Sequence, residues 1–242
     1  MLELNDCTIE IRRGVTLALP IALGFLPLAF ILGVQGSQHG LSALGMGIMC
    51  GLNLAGGSEF AAVALWSIAP PMLVIFFTTW LINCRHIVMG AALTPYLQSA
   101  RLSLPTTLFV FFLMCDETWA VTMQEIDRRK QAGMAVERLF SVPFYFSLAL
   151  TLWLVWWTGA AVGAGLGQSF GDLSTLGFAM AFPATFIALL AMMSRGIKDF
   201  HPMALSGVFS ALVSLVLPGH YAVMIGTVAG LGLAYWKGAR NE

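Results

Sequence analysis

Five ionisable side chains stand inside long apolar stretches of this 242-residue chain: Glu59, Arg85, His86, Asp116 and Glu117. Placing such a group at the centre of a membrane helix costs about 2.5–3.5 kcal/mol on insertion scales. Each therefore needs a partner or a purpose. Three carboxylates against one arginine can hold a zwitterion, carry a proton, or lock helices together.

The first group lies in Asn53-Leu-Ala-Gly-Gly-Ser-Glu-Phe60. Adjacent Gly56 and Gly57 weaken a helix by roughly 1 kcal/mol each relative to alanine. Ser58 is then expected as the N-cap of a half-helix over 59–68. A membrane helix broken in this way exposes unpaired N–H groups and a positive dipole end, which suit an anionic substrate group. Glu59 suits the ammonium of an amino acid, or a proton. The plainer alternative is that Gly56 and Gly57 only permit close helix packing.

The second group is Asn83-Cys-Arg85-His86. In a helix over 72–98, Thr79, Asn83, His86 and Gly90 recur at helical spacing and form one polar stripe. Arg85 is rotated about 100° from His86 and must meet a carboxylate or water. Glu59 and Asp116 are both open as its partner, and a purely structural ion pair is the alternative to a role in the site. His86 can relay protons, or it is simply hydrogen-bonded. The third group, Asp116-Glu117, falls in an apolar stretch over 104–123. At about 1.5 Å per residue, Asp116 lies roughly 10 Å from the end of that span, a depth similar to that of Glu59.

These residues must be positioned by membrane helices. The chain is 58% hydrophobic and 10% charged, against roughly 25% charged in soluble domains, and its mean hydropathy is +0.84. Apolar stretches at 14–34, 41–68, 72–98, 104–123, 140–167, 175–194, 202–217 and 220–237 predict an all-α, polytopic helical bundle. It has about eight spans, or seven if the short stretch at 202–217 does not cross. At least one helix is discontinuous, near Gly56-Gly57, and the bundle forms one membrane domain over 1–242. The apolar run after Arg12-Arg13 is too long for a signal-peptide core and reads as a retained first helix.

With both termini in the cytoplasm, inside segments hold Arg12, Arg13, Arg128, Arg129, Lys130, Arg138, Arg195, Lys198, Lys237 and Arg240. That is ten of the twelve basic residues, in keeping with the positive-inside rule. The charged loop 124–139 then also lies inside.

Zero net charge argues against nucleic acid as a partner. No phosphate-binding loop, HExxH or GxSxG signature occurs, so neither an enzyme nor a cofactor is expected. Cys7, Cys50, Cys84 and Cys115 form no CxxC pair and suggest buried free thiols rather than a metal or disulfide framework. Gly159, Gly163 and Gly167, and likewise Gly226 and Gly230, recur every four residues and read as close helix packing. Pro183, within Phe182-Pro-Ala-Thr-Phe186, predicts a kink.

Taken together, Leu19-Pro20, Gly-Gly-Ser-Glu-Phe60, Arg85-His86 with Gly90, Asp116-Glu117, Phe182–Phe186 and Tyr235-Trp-Lys-Gly238 resemble the AzlC-type branched-chain amino acid permease family, over nearly the whole chain. That family contains the large subunits of bacterial branched-chain amino acid exporters, including the L-valine exporter. Two positions depart from it: Glu59 replaces the usual glutamine and Met89 the usual tyrosine.

The resemblance implies a bacterial inner-membrane protein working with a separate small hydrophobic subunit of the AzlD type. The expected function is proton-coupled, secondary active export of branched-chain or other small aliphatic amino acids. Gly56, Gly57, Ser58, Glu59, Asn83 and Arg85 are the candidate substrate-binding residues. Glu59, His86, Asp116 and Glu117 are the candidates for proton coupling, and Phe60, Trp66 and Trp119 for an apolar pocket. A small-solute channel and a non-transporting scaffold subunit are the rival readings.

Overall fold

A computed structural model describes residues 4–167, Ser169, 197–216 and, within 225–236, residues 225, 226, 228–230, 232, 233, 235 and 236. The fold is all-α, with no strand among the described residues. The chain divides into two compact units, Met1–Ala179 and Met180–Glu242. The first holds α1 (Leu4–Gln38), α2 (Ala43–Asn53), α3 (Gly57–Leu65), α4 (Met72–Asn83), α5 (Arg85–Ser99), α6 (Leu104–Phe112), α7 (Asp116–Gln131), a 3₁₀ turn (Val136–Arg138) and α8 (Val142–Gly167). In the second unit α9 spans Ile197–Ser214, and Gly226 and Gly230 sit against its Ser206 and Ser210. The stretch at 175–194, with Pro183, lies outside the described residues.

Among the described residues, three helical stretches are long and apolar enough to cross a membrane: Asp6–Gln38, Met72–Ser99 and Val136–Gly167. Their outer faces carry large apolar side chains such as Leu23, Phe76, Trp80, Ile87 and Val88, all exposed. Water would drive such a surface to associate, whereas hydrocarbon tails solvate it.

The largest helix–helix interface is α1 against α8. It is close because of small residues: a Cβ on Gly163 would stand 2.2 Å from the Phe30 carbonyl, and one on Gly33 2.0 Å from the Ala160 carbonyl. The four-residue glycine rhythm of α8 is thus intrachain packing. A second core joins α5, α6, α7 and α8 through Leu93, Leu97, Val110, Leu113, Ile126 and Tyr145. Of the four free cysteines, Cys50 and Cys115 are buried as expected, but Cys84 is exposed between α4 and α5; it faces outward with Ile87 and Val88.

Two helix breaks shape the first unit, one foreseen and one not. Between α2 and α3, Leu54 adopts a left-handed conformation at φ 46° and Gly56 one at φ 49°. Positive φ suits glycine and is rare for leucine. The stretch over 104–123, read as one span, is also broken: α6 stops at Phe112 and α7 starts at Asp116. Neither glycine nor proline marks Leu113–Cys115.

Both breaks solve the same hydrogen-bonding problem with side chains of α8. In a continuous helix the Ala55 N–H would bond the Gly51 carbonyl. Instead the Gly51 carbonyl accepts the Trp153 indole N–H at 2.8 Å. Likewise the Met114 N–H turns to Phe111 O, and the Val110 carbonyl accepts the Tyr145 hydroxyl at 2.7 Å. Buried carbonyls without partners are destabilising, so α8 makes both breaks tolerable.

α7 is anchored at its other end by a charged network. The Glu125 carboxylate accepts hydrogen bonds from Arg13 Nη1 and Nη2 on α1 (3.2 and 2.8 Å), from Arg128 Nε and Nη2 (2.9 and 2.8 Å), and from Arg129 Nε (2.7 Å). Arg129 also pairs with Glu10 and donates to the Arg138 carbonyl at 3.1 Å. Burial pushes the Glu125 carboxyl up, but hydrogen bonds from Arg128, Arg13 and Arg129 outweigh it and hold it at about 2.

Candidate functional site

The site is assembled where the two breaks meet the start of α5. Arg85 is its centre. The Nη1 group pairs with Asp116 Oδ2 at 2.7 Å, and Nη2 donates to the Ala55 carbonyl at 3.1 Å. One guanidinium therefore spans the α2–α3 break and the first turn of α7. Arginine suits this because its planar fork addresses two acceptors at fixed angles. Its Nε is buried without a hydrogen-bond partner. The Arg85 and Asp116 side chains keep 30% and 20% of their surface accessible, so the pair borders open space rather than sealed core.

The α6–α7 break explains why Asp116 is there. Cys115 is extended (φ −119°, ψ 175°) and caps α7, so Asp116 and Glu117 occupy its first turn. The positive end of the helix dipole stabilises carboxylates at that position. Asp116 thus opens α7 instead of standing within one continuous helix over 104–123. Glu117 follows it, half-buried.

Glu59 points elsewhere. It is 1% exposed, and its Oε2 accepts the Trp156 indole N–H of α8 at 2.6 Å. The Oε1 atom accepts the displaced Ala55 N–H at 3.3 Å. Glu59 and Asp116 therefore do not flank Arg85 together: Asp116 holds it directly, and Glu59 reaches it only through the Ala55 peptide. A carboxylate three residues into a helix reaching back to an N–H just before the cap is a variant of the capping box.

Ser58 is not the cap. Gly56 occupies that position without a side-chain bond, α3 begins at Gly57, and it ends at Leu65 instead of 68. Gly56 takes the cap because its positive φ is open to glycine. Ser58 Oγ instead accepts from Asn53 Nδ2 at 2.8 Å, and Asn53 Oδ1 accepts from Asn83 Nδ2 at 3.0 Å. This polar thread ties α2, α3 and α4 together, while Asn83 Oδ1 is buried and unpartnered. The helix expected over 72–98 runs through a turn at Cys84, whose φ −58° and ψ −21° stay helical. His86 turns its Nδ1 to the Asn83 carbonyl at 3.1 Å; a carbonyl only accepts, so Nδ1 carries a proton there.

The chain also resembles known proteins over most of its length. A family model described as AzlC protein matches residues 20–170. The chain belongs to the AzlC family. It is 27% identical over 95% of its length to the inner membrane protein YgaZ of Escherichia coli (strain K12), covering 93% of that protein. It is 30% identical over 86% of its length to the branched-chain amino acid transport protein AzlC of Bacillus subtilis (strain 168), covering 77% of it. A membrane protein of Archaeoglobus fulgidus is 24% identical over 94% of the chain and is covered to 95%. No solved structure matches significantly.

In this AzlC-family membrane protein the structure brings Gly56, Gly57, Ser58, Glu59, Asn83, Arg85 and Asp116 to the breaks, while His86 and Glu117 stand beside them. The aromatic residues expected to form a pocket stand on α3, at its C-cap and on α7. Phe60 is buried, and Trp119 packs against the α5–α8 core. Trp66 borders a separate cavity of about 650 Å³ with Gln38, His39 and Ser67.

Three residues of the site escaped the sequence reading: Asn53, Ala55 and Trp156. Ala55 acts only through its backbone and leaves no side-chain signal. Trp156 does leave one, because a buried indole N–H usually finds an acceptor, although the neighbouring Trp157 does not.

Proposed function

We propose that this protein is a secondary active exporter of branched-chain or other small aliphatic amino acids, driven by the proton gradient. It resides in the bacterial inner membrane with both termini cytoplasmic, and works with a small hydrophobic subunit of the AzlD type. The observation that carries this reading is Arg85, which bridges two helix breaks, pairs with Asp116 and keeps one donor unused. An amino-acid zwitterion carries the same two charges as that pair. Its carboxylate can replace Asp116 on Arg85 while its ammonium takes Asp116, so the net charge of the site is unchanged. That matters because an unpaired charge left in a buried site is strongly destabilising, by about 3–5 kcal/mol when one partner is removed.

Gly56, Gly57 and Ser58 open the first turn of α3, where the positive end of the helix dipole favours an anion. Asn83 sets the α2–α4 thread beside it. Glu59, Asp116, Glu117 and His86 are the groups through which a proton is exchanged for substrate. The amino-acid substrate class also draws support from the name of the Bacillus relative, and the hydrophobic partner from the family resemblance.

The test is uptake of tritiated L-valine, L-leucine and L-alanine into proteoliposomes under an imposed pH difference, with and without a co-reconstituted AzlD-type subunit. Gradient-dependent accumulation of the aliphatic amino acids is expected. Equilibration without accumulation makes the protein a channel, and no flux in either preparation makes it a scaffold.

A further inference from the structure

Trp156 touches the first helix break twice. The edge of its indole lies 3.7 Å from where a side chain on Gly56 would begin, and its N–H donates to the buried Glu59 carboxylate at 2.6 Å. Phe25 of α1 holds the ring edge-on, centroids 5.4 Å apart at 70°.

From there the polar contacts run without interruption. Glu59 accepts the Ala55 N–H at 3.3 Å, the Ala55 carbonyl accepts Arg85 at 3.1 Å, and Arg85 reaches Asp116 at 2.7 Å. The connection passes from α8 through α3, the break and α5 to α7. The backbone it crosses is the strained one, with Leu54 at φ 46° and Gly56 at φ 49°. Such conformations persist only where the surroundings over-determine them.

We propose that Trp156 is a positioning residue for the transport site. Its indole fixes the Glu59 carboxylate on the Ala55 N–H, and so sets the Ala55 carbonyl that aims the Arg85 guanidinium. This rests on the reading that Arg85 receives the substrate carboxylate. Substrate affinity then depends on a side chain of α8 that itself touches no substrate. Trp153, one turn earlier, satisfies the Gly51 carbonyl instead and stands outside this connection.

Trp156→Phe keeps a ring on Phe25 and Gly56 but removes the N–H. Glu59→Gln keeps the indole but offers one carbonyl oxygen where two donors now find two carboxylate oxygens. Transport of tritiated L-valine is measured with the full chain, co-expressed with an AzlD-type subunit. Each single variant is expected to raise KM about five- to tenfold, and kcat stays within twofold of the parent in Trp156→Phe, whose side chain exchanges no proton. The double variant is expected to be no more than twofold worse than the worse single one, because both cut the same connection. Trp153→Phe is expected to leave KM within twofold.

A KM within twofold of the parent in Trp156→Phe overturns the proposal, as do multiplicative effects in the double variant. Should Trp156→Phe fail to fold, Glu59→Gln decides alone, and an unchanged KM there overturns it equally. If Arg85→Lys leaves L-valine affinity intact, the reading of the site has failed instead.

Discussion

Two clusters in the first unit are made of the same ingredients, arginine and carboxylate, and are built in opposite ways. Around Glu125 the contacts are redundant: three arginines converge on one carboxylate, two of them through two bonds each, and Arg129 continues to Glu10 and the Arg138 carbonyl. All but Arg138 stand on unbroken helices, α1 and α7. At Arg85 one guanidinium serves one carboxylate and one carbonyl, its Nε is unused, and every element it touches begins or ends there. Buried donors are normally satisfied, so under the proposed function an under-used arginine at a junction of helix breaks is where partners exchange, and a saturated network is where they do not. On that reading the first is machinery and the second is a fastening.

The strongest way to break this distinction is at Arg85. Arg85→Ala removes both contacts and leaves Asp116 without its counter-charge, so transport of L-valine is expected to fall at least 100-fold. Arg85→Lys keeps the charge but not the fork; a fall of about tenfold is expected while the amount of folded protein in the membrane stays near parental. Parental flux in Arg85→Lys would make the pair a fastening like the other one.

The complementary change is at Glu125. Glu125→Gln leaves three arginines around a neutral amide, and stability is expected to drop by about 3 kcal/mol, read as thermal unfolding in detergent. Flux per folded molecule should stay within twofold. The sign of the pH dependence follows from the depressed carboxyl, about 2 when folded against about 4.3 for a free glutamate. Its contribution is complete above about 4.3 and is lost as pH falls towards 2. The parent should therefore lose its stability advantage over Glu125→Gln across that window and keep it at neutral pH. An advantage unchanged between pH 7 and pH 3 would remove Glu125 from the fastening.

How much of this was legible follows from which forces act locally. The break at Gly56-Gly57 is written in the residues that make it, since glycine weakens a helix wherever it stands. The break at Leu113–Cys115 is written elsewhere: Tyr145 on α8 takes the Val110 carbonyl, and burial of Leu113, Met114 and Cys115 fixes the rest. Periodicity joined α6 to α7 because both sides are apolar and nothing between them resists a helix. The need of Arg85 for a carboxylate or water was readable from its place in an apolar stretch, but choosing Asp116 over Glu59 depends on how helices far apart in sequence are rotated. Ser58 was misread as a cap because its hydroxyl suits that role; Asn53, five residues earlier, claims it first. Arg13 and Glu125 are separated by 112 residues, and no local pattern links them.

The smallest expected effect probes the support that α8 gives to the second break. Tyr145→Phe preserves the ring in its core and removes only the hydroxyl bonded to Val110. That carbonyl has lost its usual helical donor, because the Met114 N–H has turned to Phe111 O. Leaving it unpaired costs about 1–2 kcal/mol, or roughly 2–8 °C in Tm for a chain of this size. If the break is held chiefly by packed side chains, α7 still starts at Asp116 and Arg85 still finds it. L-valine flux in Tyr145→Phe should then stay within twofold of the parent while Tm falls. The opposite pattern, a tenfold loss of flux with Tm unchanged, would put the Tyr145 hydroxyl among the contacts that exchange during transport. The division between fastening and machinery would then run through α8 itself.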